Sequence, residues 1–314
     1  MIDTRIVFMG TPDFAVGVLK SLLQHQYNVV GVITAPDKPS GRGRKMNQSA
    51  VKKYALEQQI AVLQPTNLKD KNFLEALKLW DANLQIVVAF RMLPKAVWQL
   101  PALGTFNLHA SLLPHYRGAA PINWAIINGE TKTGVTTFFI DEKIDTGEII
   151  LQEEVLINTT DTAGSLHDKL MEVGSELVIQ TVKCIQEGTA KTIKQPDVVG
   201  KPAPKIYKDT CKIDWQQPID TIYNKIRGLN PYPGAWTLLD NAGEQIEAKI
   251  FNAAKEVIHH HYNTGKLITS KKELKVAVQD GYISIDEIQL PGKRKMKVVD
   301  LLNGFTFHKG AKMH

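Results

Sequence analysis

Short apolar runs without alternation, separated by helical stretches, constrain the fold of this chain more than any other feature of its sequence. Runs rich in Val, Ile and Leu occupy residues 5–9, 29–34, 84–90 and 105–108, and turn residues bound each of them. Strands that are buried on both faces of a parallel sheet have this pattern. We therefore predict an α/β domain with an open, mostly parallel sheet and helices on both of its faces.

Two of the intervening stretches have clear helical spacing. Phe14, Val18 and Leu22 recur every fourth residue after Pro12, which suits the first turn of a helix. A longer helix is predicted after the Thr- and Asp-rich segment 159–162, from the apolar stripe Leu166, Leu170, Val173 and Leu177. In an open sheet of this class, ligands bind outside the carboxyl ends of the strands. Motifs that directly follow strands are therefore the ones most relevant to function.

The last third of the chain has a different pattern. Residues 188–207 carry Gly, three prolines and Lys without a sustained period, which predicts a linker. Alternating apolar residues at 274–278 and 283–285 flank a possible turn at 279–281, which is typical of a β-hairpin. With apolar runs at 236–239 and 248–251, they predict a small antiparallel barrel. The expected organisation is an α/β domain at 1–187, a linker at 188–207 and an oligonucleotide-binding-like barrel at 208–314.

Charge is distributed unevenly between the two predicted domains. Residues 1–199 hold 20 basic and 20 acidic residues, whereas residues 200–314 hold 18 and 12, so the net charge of +6 lies in the last third. A basic excess in one domain indicates either a polyanionic partner or a solvated surface.

Other features of the sequence indicate the compartment. No apolar run reaches the roughly 18 residues that a membrane span needs, and the first predicted strand follows the start too closely for a signal peptide. Cys184 and Cys211 are too few for a disulfide framework and lack metal-site spacing. We expect the protein to be cytoplasmic and monomeric, without a membrane partner.

The first strand-to-helix turn, residues 10–14, resembles a nucleotide-binding turn only superficially. It lacks the spacing G-x-G-x-x-G, and Pro12 removes a backbone donor that a pyrophosphate would use. A tight turn that faces the site is favoured over a dehydrogenase fingerprint.

Asn107 and His109 are candidate catalytic residues at the end of the fourth predicted strand. Residues two apart on a strand share a face, so the amide and the imidazole project together at a carboxyl edge. Such a pair can hold the oxyanion of a tetrahedral intermediate and move a proton. The alternative is a buried histidine with a purely structural hydrogen bond.

A later loop supplies a candidate carboxylate. Residues 134–140 are predicted as a strand, and the loop 141–148 after it contains Asp141 and Asp145. An ionised carboxylate from this loop could pair with His109 and fix its tautomer. The alternative role for either aspartate is an Asx turn closed by Gly147.

The motifs NLHASLLPHYRGAAP at 107–121 and GVTTFFIDEKIDTGEII at 134–150 resemble the 10-formyltetrahydrofolate-dependent formyltransferases. The resemblance implies a catalytic trio of Asn107, His109 and Asp145. It also implies folate binding by the Ser-Leu-Leu-Pro stretch, which falls on Ser111, Leu112, Leu113 and Pro114. The implied cofactor is 10-formyltetrahydrofolate as co-substrate, with no metal.

The resemblance extends over nearly the whole chain and is closest to the branch of the family that acts on initiator methionyl-tRNA. RIVFMGTPDFAV at 5–16, PDKPSGRGRKMNQSAVK at 36–52, KIDW at 212–215 and RGLNPYPGAW at 227–236 carry it. VVAFRMLP at 87–94 departs from the pattern, because the turn is one residue shorter and Arg91 stands where many members have Gly. This difference is expected to alter the wall of the folate pocket.

Two basic clusters are predicted to contact the tRNA. In the implied Gly/Arg loop, Gly41 and Gly43 favour a loop that orders on RNA, and no acidic residue interrupts the basic run from Lys38 to Lys53. A later cluster could meet phosphates, with a contribution that falls with salt. The predicted residues are Lys38, Arg42, Arg44 and Lys45 in the loop, and Lys293, Arg294 and Lys295 in the later cluster.

Several alternatives remain open from the sequence. His259, His260 and His261 would alternate faces on a strand, which indicates surface residues rather than metal ligands. The formyl acceptor could be glycinamide ribonucleotide, an amino-sugar nucleotide or water, although none of these requires a basic barrel. A non-catalytic RNA-binding protein on an inactive formyltransferase fold is the alternative outside enzymology.

Overall fold

The computed structural model of the chain describes residues 3–40, 45–196 and 200–314. The chain folds into two units, each with its own packed interior. Unit 1 comprises Met1–Gly118, Thr133–Val155 and His167–Pro202, and unit 2 comprises Ala119–Lys132, Leu156–Leu166 and Ala203–His314. Two segments from within the first 166 residues therefore belong to the same unit as the carboxy-terminal third. The division into a domain at 1–187, a linker at 188–207 and a domain at 208–314 stays a prediction.

The elements up to residue 203 alternate between strands and helices, as the apolar pattern predicts. The strands are β1 Arg5–Gly10, β2 Asn28–Ile33, β3 Lys38–Ser40, β4 Lys45–Asn47, β5 Val62–Leu63, β6 Leu84–Val88, β7 Thr105–His109, β8 Arg117–Gly118, β9 Lys132–Phe139, β10 Ile149–Leu156 and β11 Pro202–Ala203. The helices are α1 Asp13–Gln24, α2 Ala50–Glu57, α3 Lys71–Leu79, α4 Lys95–Trp98, α5 Pro121–Ile127 and α6 Ala163–Gln186.

The sheet of unit 1 has seven strands in the order β10-β9-β7-β6-β1-β2-β5. Strands β5, β2, β1, β6 and β7 run parallel, and β9 is antiparallel to β7. The mostly parallel α/β sheet predicted from the sequence is confirmed. Because β1 is followed by β2 on one side and β6 lies on its other side, the strand order reverses between β1 and β6. Such a switch point opens a crevice at the carboxyl ends of the strands.

The turns that follow β6 and β1 differ slightly from the sequence prediction. Strand β6 ends at Val88 instead of reaching residue 90, because Ala89 adopts a left-handed backbone with φ of 47°. Pro12 precedes α1 as its cap residue rather than lying inside the first turn. A side-chain carbon on Gly10 would lie only 2.5 Å from the Cβ of Ala15, so strand and helix approach closely at this turn. This close approach indicates the predicted tight turn rather than a dinucleotide-binding turn.

Unit 2 is built around an antiparallel sheet. Its remaining elements are the 3₁₀ helix Asp209–Cys211, the helices α7 Ile219–Gly228 and α8 Val298–Leu302, and the strands β12 Ala235–Asn241, β13 Glu244–Val257, β14 Leu267–Thr269, β15 Leu274–Val278, β16 Gly281–Gln289, β17 Met296–Lys297 and β18 Lys312–Met313. The strand order is β14-β15-β16-β13-β12-β18, with β17 on β16. A bridge between Lys266 and Lys312 joins the two edges, so the sheet nearly closes into the predicted barrel.

Alternating burial along the barrel strands explains how this sheet holds its core. In β12 the inward residues Ala235, Thr237 and Leu239 are fully buried, and their neighbours on the other face are partly exposed. The predicted hairpin is β15 and β16, which turn through Gln279 and Asp280. Trp215 and Ile226 pack into the same core. No helix among the described residues is long and apolar enough to cross a membrane.

Candidate active site

Strand β7 presents Asn107 and His109 on one face and Leu108 on the other. Leu108 faces α6, where a side-chain carbon on Gly174 would lie 2.9 Å from its Cδ2. Asn107 and His109 therefore project from the opposite face, as their spacing predicts. Asn107 is partly exposed, and within the described part of the chain its side-chain amide makes no hydrogen bond. The amide is thus available to a ligand.

His109 is hydrogen-bonded at one ring nitrogen and faces a carboxylate at the other. The side chain is 8% exposed, its Nε2 lies 2.8 Å from the carbonyl oxygen of Tyr116, and its Nδ1 lies 4.0 Å from Oδ2 of Asp145. A carbonyl oxygen only accepts, so Nε2 must carry a proton and donate it. Nδ1 then faces the carboxylate with a lone pair in neutral imidazole and with a second proton in imidazolium. The 4.0 Å separation exceeds a direct hydrogen bond and is an ion-pair distance when the imidazole is protonated.

Asp141 and Asp145, which the residue pattern alone leaves as alternatives, have different roles in the structure. Oδ1 of Asp141 accepts hydrogen bonds from the backbone of Lys143 at 2.9 Å and from the Thr146 hydroxyl at 2.8 Å, so Asp141 forms the Asx turn. Asp145 instead accepts from the backbone N–H of Gly118 at 2.9 Å and faces His109. Asp145 is therefore the carboxylate that the loop brings to the imidazole.

The backbone of this loop is held in an unusual conformation. Asp145 has a φ of 57°, in the left-handed region that costs non-glycine residues free energy. At Gly147 the chain passes so close to the carbonyl of Phe139 that a side-chain carbon would lie 1.6 Å from its oxygen. Glycine is required at this position by the close approach.

The Ser-Leu-Leu-Pro stretch follows β7 as a tightly hydrogen-bonded loop with a cis Leu113–Pro114 peptide bond. The buried hydroxyl of Ser111 donates to the carbonyl of His115 at 2.7 Å, so it acts within the loop. Leu113 is buried in a cluster with Phe138 and Ile149, whereas Leu112 and Pro114 are partly exposed. Folate binding by these four residues stays a prediction, with Leu112 and Pro114 the more accessible.

A second polar network holds the same loop from β9 and β10. The Thr136 hydroxyl donates to the carbonyl of Ser111 at 2.6 Å, and Thr136 lies opposite His109 in the sheet. The side-chain amide of Gln152 donates to the carbonyl of Leu113 at 3.0 Å and to the Thr136 hydroxyl at 2.9 Å. The loop is thereby fixed relative to the strand that carries the candidate catalytic residues.

Gln195 lies in the stretch 188–207 that is predicted as a linker, but it is buried at the candidate site. Its Nε2 donates to the carbonyls of Asp145 at 3.0 Å and of Gly147 at 2.8 Å, and its Oε1 accepts from Arg117. A single glutamine in a stretch rich in Lys, Pro and Gly carries no sequence signal for this role.

Arg91 itself anchors the segment 87–94, which departs from the family pattern. The Arg91 guanidinium donates to the carbonyl of Thr66 at 2.9 Å and to that of Pro65. The left-handed residue of this turn is Ala89, two positions before the arginine. The chain therefore makes its turn without glycine, and the effect on a folate pocket stays a prediction.

The predicted tRNA loop is described only at its stem. Lys38 and Lys45 lie on the antiparallel strands β3 and β4, with Lys38 exposed, and Arg42 and Arg44 lie outside the described residues. Asp37, just before the basic run, pairs with Lys52 at 2.6 Å. A hydrogen bond from Gln64, followed by that from Lys52, lowers the pKa of Asp37. Lys52 is thus neutralised locally.

The late basic cluster lies between β16 and β17. Lys293, Arg294 and Lys295 are all exposed, but the Lys295 ammonium pairs with Glu287 at 3.0 Å and lies 5.4 Å from the centre of the Phe251 ring. Part of the charge that the sequence attributes to this cluster is therefore compensated.

A different group of lysines in unit 2 is interleaved with aromatic rings, and sequence reasoning missed it. The ammonium groups of Lys208 and Lys212 lie 5.1 and 5.7 Å from the centre of the Trp236 ring. The indole N–H donates to the carbonyl of Lys208 at 2.8 Å, which fixes the ring. We call the group the Trp236 face; its members are Lys205, Tyr207, Lys208, Lys212 and Trp236. Alternating cations and aromatic rings are typical of single-stranded nucleic-acid binding.

The three adjacent histidines are not on a strand, so that part of the expectation was wrong. Strand β13 ends at Val257, and the rings of His259 and His261 pack edge to face with their centres 5.0 Å apart. His260 hydrogen-bonds to the carbonyl of Gly281 and packs on Tyr282. Across the described ranges no three His, Cys, Asp or Glu side chains are grouped as a metal site would require.

Comparisons with known proteins show the family to which the chain belongs. Residues 4–182 match the family model described as formyl transferase, and residues 205–306 match the model described as formyl transferase, C-terminal domain. Methionyl-tRNA formyltransferase from Flavobacterium johnsoniae is 58% identical over 311 residues, covering 99% of both chains. The protein of the same name from Bacteroides thetaiotaomicron is 56% identical over 318 residues, again with 99% of each chain covered.

Solved structures with low identity share the fold. The sugar 3N-formyl transferase WlaRD, with dTDP and 5-N-formyl-THF, has a TM-score of 0.65 at 22% identity and covers 94% of this chain and 100% of its own. HypX from Aquifex aeolicus, in complex with tetrahydrofolic acid, has a TM-score of 0.65 at 19% identity and covers 96% of this chain and 47% of its own. Because the match to the family model spans more than half of the chain and the similarity to the first relatives spans nearly all of it, the chain belongs to the formyl transferase family, alongside the methionyl-tRNA formyltransferases.

Proposed function

We propose that this chain transfers the formyl group of 10-formyltetrahydrofolate to the α-amine of initiator methionyl-tRNA, giving N-formylmethionyl-tRNA. The observation that carries the proposal is the meeting of His109 and Asp145 at the end of β7, with the free amide of Asn107 on the same strand face. It occurs in a chain that is similar to methionyl-tRNA formyltransferases from end to end. We expect the reaction to take place in the cytoplasm, on a monomer.

The chemistry needs a group that stabilises negative charge on the formyl oxygen. When the amine nitrogen attacks the formyl carbon, a C–N bond forms and the carbonyl oxygen becomes an oxyanion. The Asn107 amide can donate to it directly because no other described residue uses that donor. Removing one such donor typically costs on the order of 10²–10³ in rate.

The second requirement is proton transfer, which falls to His109 and Asp145. The proton that the amine loses must reach N10 of the folate as the bond between that nitrogen and the formyl carbon breaks. His109 moves it through Nδ1, on the side that faces Asp145, or through Nε2 once that nitrogen releases the Tyr116 carbonyl. The Asp145 carboxylate, 4.0 Å from Nδ1, favours this orientation of the ring. No covalent enzyme intermediate or metal is required.

The folate co-substrate is proposed to lie against the Ser111–Pro114 loop. The partly exposed Leu112 and Pro114 provide apolar surface in the loop directly after β7, which suits the apolar parts of a folate whose N10 formyl group must reach Asn107. Ser111 and Leu113 shape this loop from within through their buried contacts.

The tRNA is proposed to contact lysine-rich surfaces as well as the loop that contains Arg42 and Arg44. Lys212 is exposed, and no acidic side chain in the described ranges lies within ion-pair distance of it. Its position beside Trp236 supports an RNA contact that combines charge with stacking. Lys38, Lys45, Lys293, Arg294 and Lys295 are retained as proposed phosphate contacts, with Lys295 the weakest because of Glu287.

An acceptor panel tests the function. The purified chain is incubated with radiolabelled 10-formyltetrahydrofolate and, separately, methionyl-tRNA, glycinamide ribonucleotide, an amino-sugar nucleotide or buffer alone. We expect label only on methionyl-tRNA. Label on the sugar nucleotide, or formate release without an acceptor, would contradict the proposal; the similarity to sugar formyltransferases concerns the fold alone.

A further inference from the structure

The segment just after α6 runs along the candidate active site. Ile193 and Ile149 form an antiparallel bridge with N–O distances of 2.8 and 2.9 Å, and the Thr192 hydroxyl donates to the Glu148 carboxylate. Residues 192–195 therefore extend along the beginning of β10, directly after the loop that carries Asp145. This path brings Gln195, 7% exposed, under that loop.

Both ends of the Gln195 side chain are used. Its Nε2 bridges two carbonyls of the catalytic loop, at 3.0 Å from Asp145 and 2.8 Å from Gly147. Its Oε1 accepts from Nε of Arg117 at 3.2 Å and from Nη2 at 2.5 Å. A buried amide with both ends satisfied in this way is strongly oriented.

The partner on the other side of Gln195 also belongs to the site. Arg117 lies between Tyr116, whose carbonyl accepts from His109, and Gly118, whose N–H donates to the Asp145 carboxylate. Gln195 thus joins the backbone of the Asp145 loop to the three-residue segment that holds both members of the pair.

The conformation of Asp145 explains why such a clamp is needed. A left-handed conformation is unfavourable for a non-glycine residue and persists only where its surroundings fix it. The carbonyl that Gln195 holds is that of Asp145 itself, next to the strained φ of 57°. Without that hydrogen bond the loop can relax towards an ordinary backbone conformation and carry the carboxylate away from the imidazole.

We propose that Gln195 is a positioning residue for formyl transfer, which sets the backbone of Asp145 and thereby the distance between its carboxylate and His109. The inference rests on the proposed function. It predicts an effect on the chemical step and not on substrate binding, because Gln195 acts through Asp145 rather than on either substrate.

The test uses Gln195→Met, which retains the length and bulk of the side chain without its hydrogen bonds, and Gln195→Ala. Lys194→Ala, an exposed residue one position earlier, is the matched control. Single-turnover formylation of methionyl-tRNA with enzyme in excess gives the rate of the chemical step, and titrations give KM for each substrate. Thermal unfolding confirms that each variant is folded.

We expect Gln195→Met to lower the single-turnover rate about 10- to 100-fold, as a displacement of about 1 Å does, with both KM values within about twofold of wild type, a range that we set as the criterion for unchanged binding. In an Asp145→Asn background the same change should have little further effect, because residues that act through one another are not additive. A full additional loss in that background, a KM effect alone, or an unchanged rate in folded protein would overturn the inference.

This outcome is distinguishable from failure of the proposed function. If wild-type protein and Lys194→Ala fail to formylate methionyl-tRNA, the function itself is wrong. If both are active and Gln195→Met is equally active, only the role of Gln195 is wrong.

Discussion

The end of β7 and the Trp236 face, which are proposed to bind different parts of the substrates, are built in opposite ways. At β7 the side chains of His109 and Asp145 are nearly buried, and hydrogen bonds with neighbouring loops fix both of them. On the Trp236 face the cations are exposed, and only Lys208 has an acidic partner, Glu247, among the residues that the structure describes. Formyl transfer needs groups held within a fraction of an ångström. RNA binding instead draws on mobile charge and sequence-tolerant stacking.

This difference predicts that substitutions at β7 lower the rate of the chemical step, whereas substitutions on the Trp236 face weaken tRNA binding. The largest expected effect is that of His109→Ala. Loss of the proton-transferring group should lower kcat by about 10²–10⁴ with little change in KM. Steady-state kinetics with methionyl-tRNA measure this loss, and circular dichroism verifies the fold. A variant that keeps wild-type turnover would remove the proposed site.

Asn107→Ala should have the next largest effect. Its amide has no competing partner among the described residues, and its removal should cost about 10²–10³ in kcat. Asn107→Asp is the matched variant of the same size, and it should be no better because a carboxylate cannot donate to an oxyanion. Activity of Asn107→Asp close to wild type would contradict the oxyanion role.

Lys212→Ala should change tRNA binding and leave the chemical step intact. Loss of one phosphate contact is expected to reduce the slope of log Kd against log salt by about 1. Filter binding of methionyl-tRNA across a salt series measures the slope. Lys295→Ala is the comparison, since Glu287 already neutralises its ammonium. A larger effect of Lys295→Ala would move the RNA contact from the Trp236 face to the later cluster.

Lys95→Ala should have the smallest effect. Lys95 pairs with Glu142 in the catalytic loop at 3.0 Å, but both side chains are more than half exposed. Exposed ion pairs contribute roughly 0–1 kcal/mol, so the free energy of unfolding should fall by no more than about 1 kcal/mol and kcat should stay within about twofold of wild type. Thermal unfolding and kinetics together check this. A loss of activity comparable to that of Gln195→Met would mean that the loop is anchored mainly from α4.

Features with local sequence signals were predicted well. Uninterrupted apolar runs indicate the buried strands of unit 1, and alternation around a turn indicates the β15–β16 hairpin. The i and i+2 spacing places Asn107 and His109 on one face correctly, because strand periodicity is fixed by the backbone. Asp145 could be connected with them only through the family resemblance, since Asp141 has the same residue type and loop.

Features that depend on long-range contacts were not predictable from the residues alone. Gln195 reaches Asp145 across 50 positions, and the Trp236 face depends on how the segment 205–212 lies across β12. The neutralisation of Lys52 requires the chain to turn back on Asp37. In each case the side chain has no distinctive sequence context, and tertiary packing supplies its role.

Unit 2 is made of three separate segments of the chain, and this affects how the protein can be divided into fragments. The buried Arg227 guanidinium donates to the carbonyls of Asp161 at 2.9 Å and Asn158 at 3.3 Å, and Asn123 donates to the carbonyl of Gly228 at 2.8 Å. A fragment that begins at residue 208 would retain the arginine and its acceptor Asn224 but lose the carbonyl groups of Asn158 and Asp161, and the loss of acceptors around a buried cation is costly. A barrel excised for RNA-binding measurements would therefore be less stable, so these measurements should use the intact chain.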